Sequence, residues 1–162
     1  MPKIAILDDY ANAALDMADW GSLPAGFEPV VFNDNLVEHD ALVDRLTDFE
    51  VVCAMRERTP FPAAVFERLP NLKLFITSGM RNKSVDFAAA RKQGVVCCGT
   101  ETSGTTTTEH TWALILATAR HVPHDHMVMR QGGWQTRMGF DLAGKTLGCV
   151  GLGRLGSAVA KI

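Results

Sequence analysis

Residues 144–162 read GKTLGCVGLGRLGSAVAKI. Thr146 to Val150 has the apolar character of a short buried strand, and Ser157 to Ile162 reads as the opening of a helix. Between them Gly151, Gly153 and Gly156 stand in G-x-G-x-x-G spacing. The first glycine suits the tight strand-to-helix turn, the second lets backbone approach a pyrophosphate, and the third lets the helix pack close to the strand. Amides at the helix start, with the positive end of its dipole, would then face the phosphate. A strand–turn–helix unit of this kind implies an α/β architecture. The acidic residue for the ribose belongs about 20 positions further on, so within these residues the site is read as incomplete.

Working back toward the N-terminus, apolar runs alternate with helical patterns. Strands are expected at Lys3–Leu7, Glu28–Phe32, Val51–Met55, Leu72–Thr77 and Val95–Cys98. Helices are expected at Ala11–Trp20, Glu38–Phe49, Pro62–Leu69, with proline harmless in the first turn, and Val85–Gln93, ended by Gly94. Five strands with four intervening helices predict a doubly wound α/β domain with a parallel sheet, complete by residue 99. The polar stretch Gly99 to Thr108 then reads as a hinge that ends in helix N-caps. An apolar helix follows at Glu109–Arg120, and a more polar one at His124–Gln131 stops at Gly132-Gly133. Two domains are therefore expected: residues 1–99, whole, and residues 100–162, the first part of another.

The 162 residues are 47% hydrophobic and 21% charged with a net charge of −2. That balance gives no electrostatic reason to expect nucleic acid or an anionic membrane as partner. No apolar run approaches the roughly 18 residues of a membrane span, and the N-terminus reaches Asp8 too soon for a signal peptide. A cytoplasmic protein is expected. The four cysteines (Cys53, Cys97, Cys98, Cys149) lie in apolar runs and are read as buried, reduced thiols; neighbouring strand residues face opposite ways, so Cys97 and Cys98 are not read as a pair.

Candidate site residues cluster where strands end. Asp8-Asp9 follows the first strand, as in response-regulator receiver domains. The phosphoacceptor aspartate after strand three and the lysine after strand five of those domains are absent, so the pair is read as loop carboxylates. Thr77-Ser-Gly-Met-Arg-Asn82 ends the fourth strand, and a Ser-Gly turn with free amides suits a small carboxylate. Arg81 could add a planar fork, and Arg56 and Arg58 on the same rim suggest an anionic ligand. His110 is read as packed or capping, His124 and His126 as lying on different helical faces, and His39 and His121 as unassigned. No Cys/His spacing resembles a zinc site.

In this order, the segments resemble the D-isomer-specific 2-hydroxyacid dehydrogenases. Met55-Arg56-Glu57-Arg58-Thr59 is similar to the family's active-site Arg-x-x-Thr segment, and Ile76 to Asp86 to its carboxylate-binding loop. Glu109 to Ala117 resembles the first helix of its cofactor domain, while Gly132-Gly-Trp134 and Leu142 to Gly148 lead into the fingerprint. Glu101, where many relatives have proline, and Thr105 to Thr108, in place of a valine-alanine helix entry, depart from the pattern.

The resemblance implies a flavodoxin-like substrate domain followed by an incomplete Rossmann-type segment. It implies that the amides of Ser78, Gly79 and Met80 hold a 2-hydroxy or 2-oxo acid carboxylate, with Arg56 and Arg81 nearby. Thr108, Gly151, Gly153, Arg154, Leu155 and Gly156 would contact NAD or NADP. The family's catalytic arginine, carboxylate and acid/base histidine match no residue here, so residues 1–162 alone are expected not to transfer hydride. Self-association through residues 100–162 is expected, because a lone parallel strand and an uncovered apolar helix promote it. The competing expectation is a non-catalytic carboxylate-binding or interaction module of the same descent.

Overall fold

A computed structural model describes residues 1–162 as two compact units, 1–102 and 103–162. The first is built on five parallel strands: β1 (Lys3–Ile6), β2 (Glu28–Val31), β3 (Val51–Ala54), β4 (Leu74–Thr77) and β5 (Val96–Gly99). Their order is β2-β1-β3-β4-β5, the flavodoxin-like arrangement, whose direction of winding reverses between β1 and β3. Ligands of such sheets bind outside the carboxyl ends of the strands at that reversal. Here those ends carry Asp8 and Arg56.

Alternation along the strands sends Ala5, Val52 and Phe75 to one face, where they are fully buried under the crossover helices α1 (His39–Leu46), α2 (Ala63–Phe66) and α3 (Phe87–Lys92). Phe61, Phe66 and Phe75 meet with ring centroids 4.7–5.7 Å apart, and burying each stabilises the fold by about 2–3 kcal/mol. α1 and α3 start where a carboxylate can take their orphan amides. Glu38 accepts from Asp40 and Ala41, and Asp86 from Ala88 and Ala89.

The opposite face is thinner, with Ile4, Ile6 and Val51 covered by Ala14, Trp20 and Leu23. The helix expected at Ala11–Trp20 is absent. Turns occupy the segment, closed by one 3₁₀ turn at Trp20–Ser22. The Asp9 carboxylate takes the amides of Ala13 and Ala14 (3.1 and 2.8 Å), Asn12 adopts φ +50°, and Trp20 Nε1 donates to the Ala14 carbonyl. A side chain that captures local amides offers the backbone an alternative to a helix, and here it prevails over alanine propensity.

The second unit contains α4 (Thr106–Ala119), α5 (Val122–Arg130) and α6 (Arg154–Val159). His121, in the left-handed region at φ +56°, separates α4 from α5. The strand expected at Thr146–Val150 does not form, since a strand needs a neighbour for its ladder and the unit has no sheet; Val150 is fully exposed. α4 begins three residues before the expected start, placing Thr106 to Thr108 inside it, and α6 begins at Arg154 rather than Ser157. Only Thr108 and Ala119 of α4 are buried, while Leu114, Leu116, Met127, Trp134 and Met138 are exposed. No helix is long and apolar enough to cross a membrane.

Candidate functional site

At the carboxyl ends of β3 and β4, Arg56 and Gly79 are in contact. Arg56 has φ +54° and Gly79 φ +91°. The conformation requires glycine here, and a Cβ on Gly79 would push the Arg56 guanidinium lying on it aside. Asn82, 5% exposed, holds this arrangement from beneath: its Nδ2 donates to the Arg56 carbonyl (2.5 Å) and to Thr77 Oγ1 (2.9 Å), and its Oδ1 accepts from Ser84 N. Ser78 Oγ accepts from Arg56 N at 3.0 Å.

The three amides expected to face a carboxylate are not equivalent. Ser78 N donates to the Ala54 carbonyl at 3.0 Å, continuing the β3–β4 ladder, and is therefore unavailable. Gly79 N donates to Thr100 Oγ1 at 2.9 Å. Met80 N has no acceptor within the protein. Arg81 is exposed and forms no ion pair, while Arg56 makes only a loose 3.7 Å contact with Glu57. The rim thus offers one free amide, one amide on an exchangeable hydroxyl, and two accessible guanidinium groups.

Arg58 serves another purpose. Its Nη1 donates to the Asp8 carbonyl at 2.6 Å and its guanidinium stacks on Tyr10, 4.4 Å from the ring centroid. Asp8, read from sequence as a loop carboxylate, is 1% exposed with φ +60°. Its carboxylate accepts from Thr59 Oγ1 (2.9 and 3.1 Å) and from Asn35 Nδ2 (2.8 Å). A buried carboxylate is tolerable only when hydrogen-bonded in this way, and the result ties the end of β1 to the Arg56–Thr59 turn. Asp9, next in the chain, is held below the ordinary carboxylate range by the Ala14 and Ala13 amides. Sequence reasoning missed Asn35 and Thr100, and included Asn82 in the Thr77–Asn82 loop without giving it a role; a polar residue just past a strand end is their only local mark.

In the second unit the glycine fingerprint lines an open groove of about 830 Å³ with Thr107, Thr111 and Ile115 of α4. Gly151 has φ +94°, which makes the turn, and a Cβ on Gly156 would collide with the Gly151 carbonyl oxygen. Gly153 is the N-cap of α6 with no side-chain cap, and a Cβ there would meet nothing within 4 Å. The turn therefore closes as the spacing predicts, with open space above the second glycine and uncapped amides at Arg154, Leu155 and Gly156. These residues fit a pyrophosphate. Thr108 does not line the groove; it is 6% exposed and its Oγ1 lacks a partner.

The remaining expectations fare unevenly. His110 is exposed rather than packed, and His124 Nε2 lies 2.8 Å from Thr136 Oγ1. The cysteines are free, but none is fully buried as expected: Cys53, Cys97 and Cys149 are half-buried, and Cys98, on the edge strand β5, is exposed. Burial pushes the Cys53 thiol up to about 11. No group of His, Cys, Asp and Glu side chains could hold a metal ion.

Residues 112–162 match the family described as D-isomer specific 2-hydroxyacid dehydrogenase, NAD binding domain. The chain is 30% identical to a hydroxypyruvate reductase of Blautia hydrogenotrophica, over 99% of this chain and 52% of that protein. It is 29% identical to a glyoxylate reductase of Pyrococcus horikoshii, over 99% and 49% respectively. A phosphoglycerate oxidoreductase structure from Vibrio cholerae superposes with a TM-score of 0.89 at 36% identity, covering 99% of this chain and 52% of that one. The chain thus spans about half the length of the relatives it matches. Fold, glycine fingerprint and these likenesses agree, and the chain belongs to the D-isomer-specific 2-hydroxyacid dehydrogenase family.

Proposed function

We propose that this chain is the N-terminal portion of an NAD(P)-dependent dehydrogenase acting on a small 2-hydroxy or 2-oxo acid. Residues 1–99 serve as the substrate domain and residues 100–162 as the opening of the dinucleotide domain. The observation that carries this reading is the Arg56 guanidinium lying on Gly79 beside the free Met80 amide. A carboxylate there gains a charge-assisted bond from Arg56 and one from backbone, with Arg81 on the outer rim. The bound nicotinamide supplies or accepts the hydride. Gly151, Gly153, Arg154, Leu155 and Gly156 would hold its pyrophosphate through the uncapped amides at the start of α6.

The residues of this chain bind and orient. The 56–59 and 78–82 segments that form the rim contain no histidine, the residue type that most often supplies the acid/base group. Residues 1–162 alone are therefore proposed to bind without turnover. Self-association is proposed to run through the exposed apolar residues of the second unit, Leu114, Leu116 and Trp134 among them.

The test is a titration of the ¹⁵N-labelled chain with glyoxylate. Shifts confined to Arg56 and to the amides of Gly79, Met80 and Arg81 support the reading. Saturating glyoxylate with no shift in this set would overturn it.

A further inference from the structure

Thr100 occupies the Gly79 amide, which no backbone carbonyl of the protein uses. Its Oγ1 accepts from Gly79 N at 2.9 Å, and its own N donates to the Thr77 carbonyl at 3.2 Å. The close approach is built in. A Cβ on Gly99 would stand 2.8 Å from the Gly79 carbonyl oxygen and 2.9 Å from Met80 Cα. Only glycine at 99 lets the end of β5 come near enough for the next side chain to reach across. Thr100 itself is exposed, so the bond is not a means of satisfying a buried hydroxyl.

An amide has a single N–H, and an oxygen 2.9 Å away along it stands where a ligand oxygen would. Resting on the functional reading above, we infer that Thr100 is an internal competitor for the carboxylate cradle: its hydroxyl holds Gly79 N until a substrate carboxylate displaces it. A carboxylate entering over Arg56 and Met80 N exchanges a neutral acceptor on Gly79 N for an ionised one. Charge-assisted bonds are about twice as strong as neutral ones, so the exchange favours the anion. A neutral ligand gains nothing from it. Thr100 therefore sets a threshold that only an anionic ligand crosses, and its removal raises affinity while weakening discrimination.

The sign of the effect separates this role from a merely supporting one. In the Thr100→Val variant Gly79 N is left without its acceptor at nearly constant shape. A neutral hydrogen bond contributes about 0.5–1.5 kcal/mol net, which corresponds to roughly two- to tenfold in an equilibrium constant. Glyoxylate, titrated into the ¹⁵N-labelled chain, is expected to bind Thr100→Val two- to tenfold more tightly than the parent, and Thr100→Ser like the parent. Acetamide, a neutral probe, is expected to gain at least as much. The Gly79 amide proton should exchange with solvent faster in Thr100→Val and at the parental rate in Thr100→Ser.

Weaker or unchanged glyoxylate binding in Thr100→Val overturns the inference, as does tightening that Thr100→Ser reproduces. If glyoxylate binds neither parent nor variant, the functional reading has failed. The exchange rate of the Gly79 amide then still decides whether Thr100 holds it, and an unchanged rate overturns the inference by itself.

Discussion

Replacing Thr59 with valine tests the link between the buried polar knot and the site. Thr59 is 2% exposed and its hydroxyl donates to the Asp8 carboxylate, which is 1% exposed and has Asn35 as its other side-chain donor. Valine keeps the shape and removes the donor. A hydrogen bond to an ionised group contributes about 1.5–3 kcal/mol, and the carboxylate left behind is too deeply buried to recover it from water. The expected loss is about 2–3 kcal/mol in the first unit. At that unit's size this lowers its melting temperature by roughly 10 °C. Urea unfolding followed through NMR signals of Ala5 and Val52 reads the loss without interference from the second unit. The same variant loosens the Arg56–Thr59 turn, so glyoxylate affinity is expected to fall even where the protein remains folded. A cycle with Asp8→Asn should show coupling of at least 1 kcal/mol. A loss below about 0.5 kcal/mol would refute the reasoning, because it would mean that the Thr59 hydroxyl is not a needed partner of the buried Asp8 side chain.

Gly79→Ala places a Cβ against Arg56 Nη1 at φ +91°; it is expected to cost about 1–3 kcal/mol and to abolish glyoxylate shifts at Arg56, read by the same titration. Gly156→Ala is expected to open the fingerprint turn, since its Cβ meets the Gly151 carbonyl, and NMR should show the Gly151–Gly156 signals displaced while β1–β5 stay unchanged. In acid, three carboxyl groups matter: Asp9 is lowered by the Ala14 and Ala13 amides, Asp34 by Arg45, and Glu38 by the Ala41 and Asp40 amides. Because each is depressed in the folded state, its stabilisation is fully present above the unfolded value of about 4 and is lost as pH falls through the lower folded one. Melting temperature should therefore hold from neutrality to about pH 5 and drop below about pH 4, less steeply in Asp9→Asn. Toward iodoacetamide, exposed Cys98 should react early and Cys53, whose thiol is pushed up to about 11, last, as peptide mass spectrometry would show; early loss of Cys53 would contradict its burial.

The fold was legible wherever one residue's environment is set by its own strand. The runs around Ala5, Val52 and Phe75 alternate because the sheet has two faces, and a parallel sheet follows from the spacing between them. Residues 11–20 misled because their alanines favour a helix, whereas the outcome turns on the Asp9 carboxylate capturing two amides. Thr146–Val150 misled for the opposite reason: its pattern suits a central strand, but a ladder needs a partner, and none lies in residues 103–162. At the site, Ser78-Gly79-Met80 and Arg56 were visible from local turn chemistry. Which amide is free was not. That depends on Ala54 and Thr100, which lie far away in sequence and arrive through strand register.

The central claim is that these residues hold the carboxylate of a 2-oxo acid for hydride transfer. It is tested most directly by following NADH absorbance with glyoxylate and hydroxypyruvate, using the protein made from the whole reading frame of the source gene. The account predicts oxidation that depends on the 2-oxo acid, falls at least tenfold in kcat/KM in Arg56→Ala (about 1.4 kcal/mol of lost transition-state binding), and is absent from residues 1–162 alone. Undiminished turnover in Arg56→Ala, or no oxidation by the protein from the whole reading frame, would contradict it.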